Sequence, residues 1–282
     1  MIPHFLLLCL LLEGVVSEQL RGIPRLKDVT KRNRLAHGKS TSCNDPNLTF
    51  SDVAEKLIQL DVGSSVPAIN PRKRCSSCNP YTEPLFRSQD SRFQDRDTVN
   101  KLRELLDKDL TKAERHQDAF LDTIVGTEVM CCLADYLNAK DRHNIVLRDV
   151  LDDFWFTKYR RGSGYSTGFG HVFQGEMKKT KVSGLHNWEA LQKKGYRFCF
   201  EDVIELDHKG YVVQMRLQKG DQLKTVFVGT TPELEMALYT LCFSFRKSQK
   251  RHECLLRERN FSIITFKNRK EVIEASYPQI KC

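Results

Sequence analysis

The chain has 282 residues, of which 45 are Lys or Arg and 36 are Asp or Glu, for a net charge of +9; 40% are hydrophobic and 29% charged. That balance excludes a disordered, low-complexity or collagen-like chain. The positive charge favours acidic partners such as nucleic acid, heparin-like glycans or anionic lipid, and it leaves the fold open.

The chain opens on MIPHFLLLCLLLEGVVSEQ, whose apolar run from Phe5 to Leu12 is followed by Val15, Val16 and Ser17. Small residues at that spacing predict a signal peptide over residues 1–17 and therefore a secreted protein. The run is far short of the roughly 20 residues that cross a bilayer, and no later segment reaches that length, so no membrane span is expected. Export turns the cysteines toward disulfides. Nine would remain after cleavage (Cys43, Cys75, Cys78, Cys131, Cys132, Cys199, Cys242, Cys254 and Cys282), an odd number that leaves at least one thiol unpaired within the chain. The CSSC at 75–78 has no second CxxC at zinc-ribbon spacing, and no His/Cys spacing reads as a zinc enzyme. The sequons at Asn47 and Asn260 become glycosylation candidates outside the cytosol.

Residues 18–47 are basic and without apolar period, which predicts a flexible arm before a domain over 48–282. From Thr49, Phe50, Val53, Leu57 and Leu60 share one helical face, with Thr49 or Ser51 available as cap. Residues 62–90 read as a loop. A second helix is expected from about Thr98, and a third opens at Thr111-Lys-Ala-Glu114, a capping-box spacing, and continues to about Leu137. One more helix ends at Phe156, closing a helical part over about 48–156. The segment RRGSGYSTGFG then packs four glycines into nine residues, the mark of a backbone that turns sharply or approaches a ligand. Period two dominates the remaining part, about 157–282: YVVQMRLQ, a KGD turn and QLKTVFVG read as a hairpin. TTPELEMALYTLCFSF reads as a helix with Thr231 as N-cap, Pro232 at N1 and Leu234, Ala237, Leu238 and Leu241 on its buried face. FSIITF and EVIEASY read as strands. The fold class is α+β, with helices first and antiparallel strands later.

In the second part, His171 in GFGHVFQGE, His186 in VSGLHNW and Lys224 after the hairpin turn stand out. A ribose 2′-hydroxyl attacks its own phosphodiester when one group removes its proton, another protonates the departing 5′ oxygen and a cation steadies the phosphorane. Two imidazoles and an ammonium supply those roles without a metal.

The words GFGHVFQGE, KVSGLHNW and FVGTTPELEMALYTLCF, in that order around the Lys-bearing hairpin, closely resemble the EndoU (XendoU) family of poly(U)-specific endoribonucleases. The resemblance covers roughly residues 48–282. It implies His171 as general acid, His186 as general base and Lys224 as charge stabiliser, cleavage of single-stranded RNA 3′ of uridine to a 2′,3′-cyclic phosphate, and a monomer that acts as an RNA lyase. It also implies base contacts from Thr230, Thr231 and Tyr277, and Mn²⁺ as cofactor with Glu176 as a ligand. Two departures stand out. Gly170 replaces the acid that usually precedes the first histidine, which weakens any site for a metal that prefers several hard oxygens. Ala275 replaces a threonine before Tyr277, and Ile273, Ala275 and Tyr277 on one strand face could simply be core. The alternative to an enzyme is a catalytically weak or inactive secreted protein of the same fold that binds RNA or glycans.

Overall fold

The computed structural model describes residues 43–62, 95–141, 145–162, 164–178, 181–217, 222–246 and 248–281. The expected signal peptide, most of the basic arm, the CSSC and the KGD turn lie outside them.

Helix α1 (Phe50–Leu60) starts where its apolar period does. Thr49 Oγ1 accepts from the Asp52 amide at 3.3 Å while the Asp52 carboxylate accepts from the Thr49 amide at 2.8 Å. This reciprocal cap satisfies two orphan donors, and such a cap contributes about 1 kcal/mol. Helix α2 (Asp97–Leu106) follows, but the expected third helix begins later and is split, into α3 (Glu114–Ile124) and α4 (Glu128–Asp141). Thr111 does not cap α3, because its amide and hydroxyl are both taken by Asp109, at 2.9 and 2.7 Å. The break at Val125–Thr127 includes Gly126, and Thr127 Oγ1 accepts from the Met130 amide to restart the chain as α4. Helix α5 (Leu147–Phe156) completes this part. A disulfide from Cys43 to Cys132 ties the segment before α1 to α4. Closing a span of 89 residues contributes about 4.6 kcal/mol by chain entropy.

Two short hairpins follow: β1 (Tyr159–Arg161) with β2 (Gly164–Ser166), and β3 (Glu176–Lys178) with β4 (Lys181–Ser183), separated by a π-helical turn at Gly170–Gln174. After the short helix α6 (Trp188–Lys193), strands β5 (Phe198–Glu205), β6 (Tyr211–Leu217) and β7 (Gln222–Val228) form an antiparallel sheet in chain order. Helix α7 (Pro232–Ser244) leads to a second antiparallel sheet, β8 (Arg251–Leu255), β9 (Phe261–Lys267) and β10 (Ile273–Ile280). The α+β class with helices first is as expected. Strand β8 was not legible as a strand, since RHECL carries alternating charge with little apolar period.

Helix α7 differs from its expected single buried face: every residue of it is buried. It packs on α1 and α4 on one side and on β9 on the other, so one apolar core runs through the helical and β-rich parts of the chain. A disulfide from Cys242 to Cys254 pins α7 to β8. Cys199 is disulfide-bonded too, while Cys131 carries a thiol whose Sγ lies 3.9 Å from the Val125 carbonyl. No helix among the described residues is long and apolar enough to cross a membrane.

At the N-terminus of α7 the core holds several carboxyls. Asp61 accepts from the Thr231 amide at 3.3 Å, and burial, then the neighbouring Glu233, raise its pKa to about 7. An acid whose folded pKa lies above its unfolded value keeps a proton that the unfolded chain gives up. Its stabilisation is therefore full below the unfolded pKa, near 4, and falls as pH rises to about 7. Asp61→Asn, which keeps an acceptor for Thr231, should raise the melting temperature by several degrees at about pH 8 and by much less at about pH 5. Thermal unfolding at the two pH values checks this, and an equal shift at both would contradict it.

Candidate active site

Backbone contacts between the π-helical turn and the chain after β4 assemble the site. Phe169 and Phe173 stack on each other at 4.8 Å, and Phe169 stacks on Phe156 at 5.0 Å, which anchors the turn in the core and leaves His171 facing out of it. Gly168 is required because a Cβ there would lie 2.8 Å from the Ile273 carbonyl oxygen of β10. Thr167 Oγ1 accepts from the Gly170 amide at 2.9 Å and starts the turn. Opposite, Gly184 sits at φ +69°, and a Cβ on it would lie 1.9 Å from the His171 carbonyl oxygen. The next two amides then bond across: Leu185 N to the His171 carbonyl at 2.9 Å and His186 N to the Val172 carbonyl at 2.7 Å. Both histidines are thus fixed by main chain.

Lys224, from β7, donates to the carbonyls of Val182 at 3.0 Å and Gly184 at 2.7 Å. Burial lowers its pKa to about 8. His171, His186 and Lys224 are 4%, 8% and 7% exposed, so each is largely enclosed. They also feel each other's charge: after burial, Lys224 is the main cause that lowers the His186 pKa to about 3, with His171 adding to it. His186 Nδ1 donates to the Thr225 carbonyl at 3.1 Å, so Nε2 carries the lone pair.

His171 Nδ1 lies 3.3 Å from Glu176 Oε2, and its Nε2 lies 3.4 Å from an Arg161 guanidinium nitrogen. Burial lowers the His171 pKa and the Arg161 charge adds to this, while Glu176 opposes it. Burial pushes the Glu176 carboxyl up, but hydrogen bonds from His171 and Ser166 and the charges of His171 and Arg161 outweigh it and hold it below its ordinary value. Arg161 and Ser166 were not singled out from sequence; the signal for them was the Gly-rich RRGSGYSTGFG, which turns back to place both beside the histidine.

Tyr277 stacks on the His186 ring at 4.6 Å, with 19° between the planes. A β-bulge between Ile273 and Ala275 reverses the facing of β10, so Ile273 is buried while Tyr277 is only half-buried and turned to the site. Thr230 and Thr231 do not join it. Both are fully buried: Thr231 Oγ1 caps α7 by accepting from the Leu234 amide at 3.3 Å, and Thr230 Oγ1 donates to Glu235 at 3.0 Å. The HNW and GTTPELE segments brace each other. Asn187 donates to Glu235 at 3.2 Å and Trp188 to the Thr230 carbonyl at 3.0 Å, which holds the loop of His186 onto the start of α7.

The residues around His171 do not make a Mn²⁺ cage. Gly170 offers no ligand, and both Glu176 oxygens are engaged, Oε1 by Ser166 and Oε2 by His171 and Arg161. The fold instead gathers Cys242, His252 and Cys254, whose ligand atoms lie within 4.8 Å of one another. Such a group could hold a metal as thiolates, a soft donor set unlike the hard oxygens that Mn²⁺ prefers. In the structure its two sulfurs are bonded to each other.

A family model described as Endoribonuclease XendoU matches residues 49–278. The chain is 27% identical to a Xenopus laevis protein named Uridylate-specific endoribonuclease D, over 98% of this chain and 99% of that one. It is 39% identical to a Homo sapiens protein named Uridylate-specific endoribonuclease, over 46% of this chain and 35% of that one. A solved structure titled "The structure of XendoU: a splicing independent snoRNA processing endoribonuclease" superposes with a TM-score of 0.68 at 25% identity, covering 83% of this chain and 97% of that one. A family model that spans most of the domain, joined to the same fold in the solved XendoU, places this chain in the XendoU endoribonuclease family.

Proposed function

We propose that the protein cuts single-stranded RNA 3′ of uridine by transesterification, releasing a 2′,3′-cyclic phosphate and a 5′-hydroxyl. The observation that carries this reading is the convergence of His171, His186 and Lys224 on the Gly184 peptide. His186 is neutral at physiological pH, and its Nε2 lone pair takes the proton of the uridine 2′-hydroxyl. The 2′ oxygen attacks phosphorus, and the Lys224 ammonium offsets the negative charge that builds on the phosphorane. His171, steadied through Nδ1 by Glu176, gives a proton to the departing 5′ oxygen. No step runs through a metal, and we take any Mn²⁺ stimulation to act on how the RNA binds or bends. The uridine preference is carried over from the names of the relatives. Tyr277, already stacked on the His186 ring, is the contact we assign to the uridine ribose or base. Export after residues 1–17 fits the disulfides, which persist in oxidising compartments.

Replacing the attacking uridine by 2′-deoxyuridine in a short RNA should abolish cleavage at that step; persisting cleavage would mean that water attacks. His171→Ala, His186→Ala and Lys224→Ala should each lower kcat/KM on UpA by about 10² to 10⁴, the usual effect of losing an acid, a base or a charge stabiliser. A wild-type rate in any of the three would remove that residue from the mechanism, and no cleavage by the unmutated protein would favour the binding protein of the same fold.

The pH dependence follows from the same contacts. The base form of His186 is lost only near pH 3, so kcat/KM should stay high well into the acid range. The acid form of His171 is lost as pH rises through a pKa below its ordinary value, and the Lys224 charge follows near pH 8. The optimum should therefore lie on the acid side of about 6.5, and Arg161→Gln should move the first alkaline limb upward by removing a cation from His171. A limb unmoved by that change would contradict the arrangement.

Tyr277→Phe keeps the ring against His186 and should stay near wild type, whereas Tyr277→Ala should lose roughly 10-fold to 100-fold in kcat/KM on UpA, the scale of one lost stack. An equal loss in both variants would assign the effect to the hydroxyl.

A further inference from the structure

Beside the His171–Glu176 pair the surface opens into a cavity of about 190 Å³. Gly170 forms part of its wall. A Cβ there would meet three residues that line the cavity, Leu110 Cδ1 and Thr167 Oγ1 at 3.2 Å and Gln174 Oε1 at 3.7 Å, so a side chain at 170 would crowd this wall. The glycine that departs from the family pattern thus leaves room next to the catalytic histidine. Gln174 is held in place by donating to the Leu105 and Lys108 carbonyls, at 2.9 and 3.0 Å, which turns its amide oxygen toward the cavity.

The rim carries a large exposed aromatic and two exposed cations. Tyr165 on β2 is 76% exposed, although most aromatic side chains of this size are tucked into the core. Its antiparallel partner across the hairpin is the exposed Arg160. Lys108 and Lys158 line the same opening, with Lys158 resting on the Thr111 carbonyl at 3.3 Å. The one further acid at the rim, the exposed Asp109, accepts from the Thr111 amide and hydroxyl through Oδ1, which holds its carboxyl below the ordinary range, so one negative charge stands among these cations. An open ring face, mixed donors and acceptors at the bottom, and ammonium groups at the edge are the features by which single-stranded RNA is held: bases stack on aromatics and phosphates lie along basic rims.

The geometry points to a subsite for the leaving nucleotide, the one 3′ of the scissile phosphate, with its base on Tyr165 and in the Gly170 cavity and its following phosphate at Lys108 and Lys158. This rests on the reaction proposed above, and the side is set by the acid. The cavity shares Glu176 with His171, which protonates the departing 5′ oxygen, while Tyr277 lies across the site on His186, the base that serves the uridine ribose. The uridine and the leaving nucleotide would therefore meet different aromatic rings.

The test compares UpA with an analogue in which uridine is followed by an abasic ribose, so that the leaving 5′ oxygen is the same and only the base is missing. With the full disulfide-bonded chain, Tyr165→Ala should lose about 5-fold to 150-fold in kcat/KM on UpA, the cost of one base stack, and change little on the abasic analogue. Tyr165→Phe should retain activity on both. Equal losses on the two substrates, or no loss on UpA, would overturn the subsite. If the wild type cleaves neither, the proposed reaction fails, and the subsite is then decided by titrating labelled deoxyuridylyl-adenosine: weaker binding by Tyr165→Ala upholds it, and equal binding discards it.

Discussion

Gly184 is the residue on which the rest of the site depends. Its positive φ and missing side chain let its Cα lie against the His171 carbonyl, where even a methyl group would sit 1.9 Å from oxygen. That approach allows Leu185 and His186 to bond to the turn that carries His171, and the Gly184 carbonyl receives the Lys224 ammonium. One peptide thereby joins three parts of the chain that are distant in sequence. The contacts between the two histidine segments are made by main chain, and the Lys224 ammonium is held by two main-chain carbonyls, so the backbone fixes where all three groups sit, as a preorganised site needs.

The surroundings make that arrangement rigid and tune it. The π-helical turn is held by stacked phenylalanines, and the His186 loop is held by Asn187 and Trp188 against the N-terminus of α7, the helix buried on all sides. The enclosure has an electrostatic consequence. Burial and the Lys224 charge keep His186 neutral, which suits a proton acceptor, while Glu176 partly restores the basicity that burial and Arg161 remove from His171. Two imidazoles are thus set apart in affinity for protons by environment alone, as the proposed acid–base reaction requires.

Much of the fold was legible in the sequence because period and caps are local. The capped start of α1, the hairpin of β6 and β7 and the Thr231–Pro232 start of α7 all follow from neighbouring residues. The late start of α3 and its split from α4 were not, since the first turns on Asp109 taking up Thr111 and the second on Gly126 and on Thr127 restarting the chain. At the site, His171, His186 and Lys224 were legible as words with a familiar chemistry, but their convergence depends on Gly184, which carries no signal beyond being a glycine. The threonines went the other way: Thr230 and Thr231 look like hydrogen-bond donors for a base, and only tertiary burial shows them holding α7 instead. Tyr277 faces the site because of one extra residue at a bulge, a shift that alternation alone places on the wrong side.

The most direct test of this account is the rate of UpA cleavage by Gly184→Ala, measured on protein that retains a cooperative melting transition. A methyl group at that position must push the His171 carbonyl away and break the bonds that space the two histidines and Lys224. The account predicts a loss as large as removal of a catalytic group, about 10² to 10⁴ in kcat/KM. A folded Gly184→Ala protein that cleaves at the wild-type rate would contradict it.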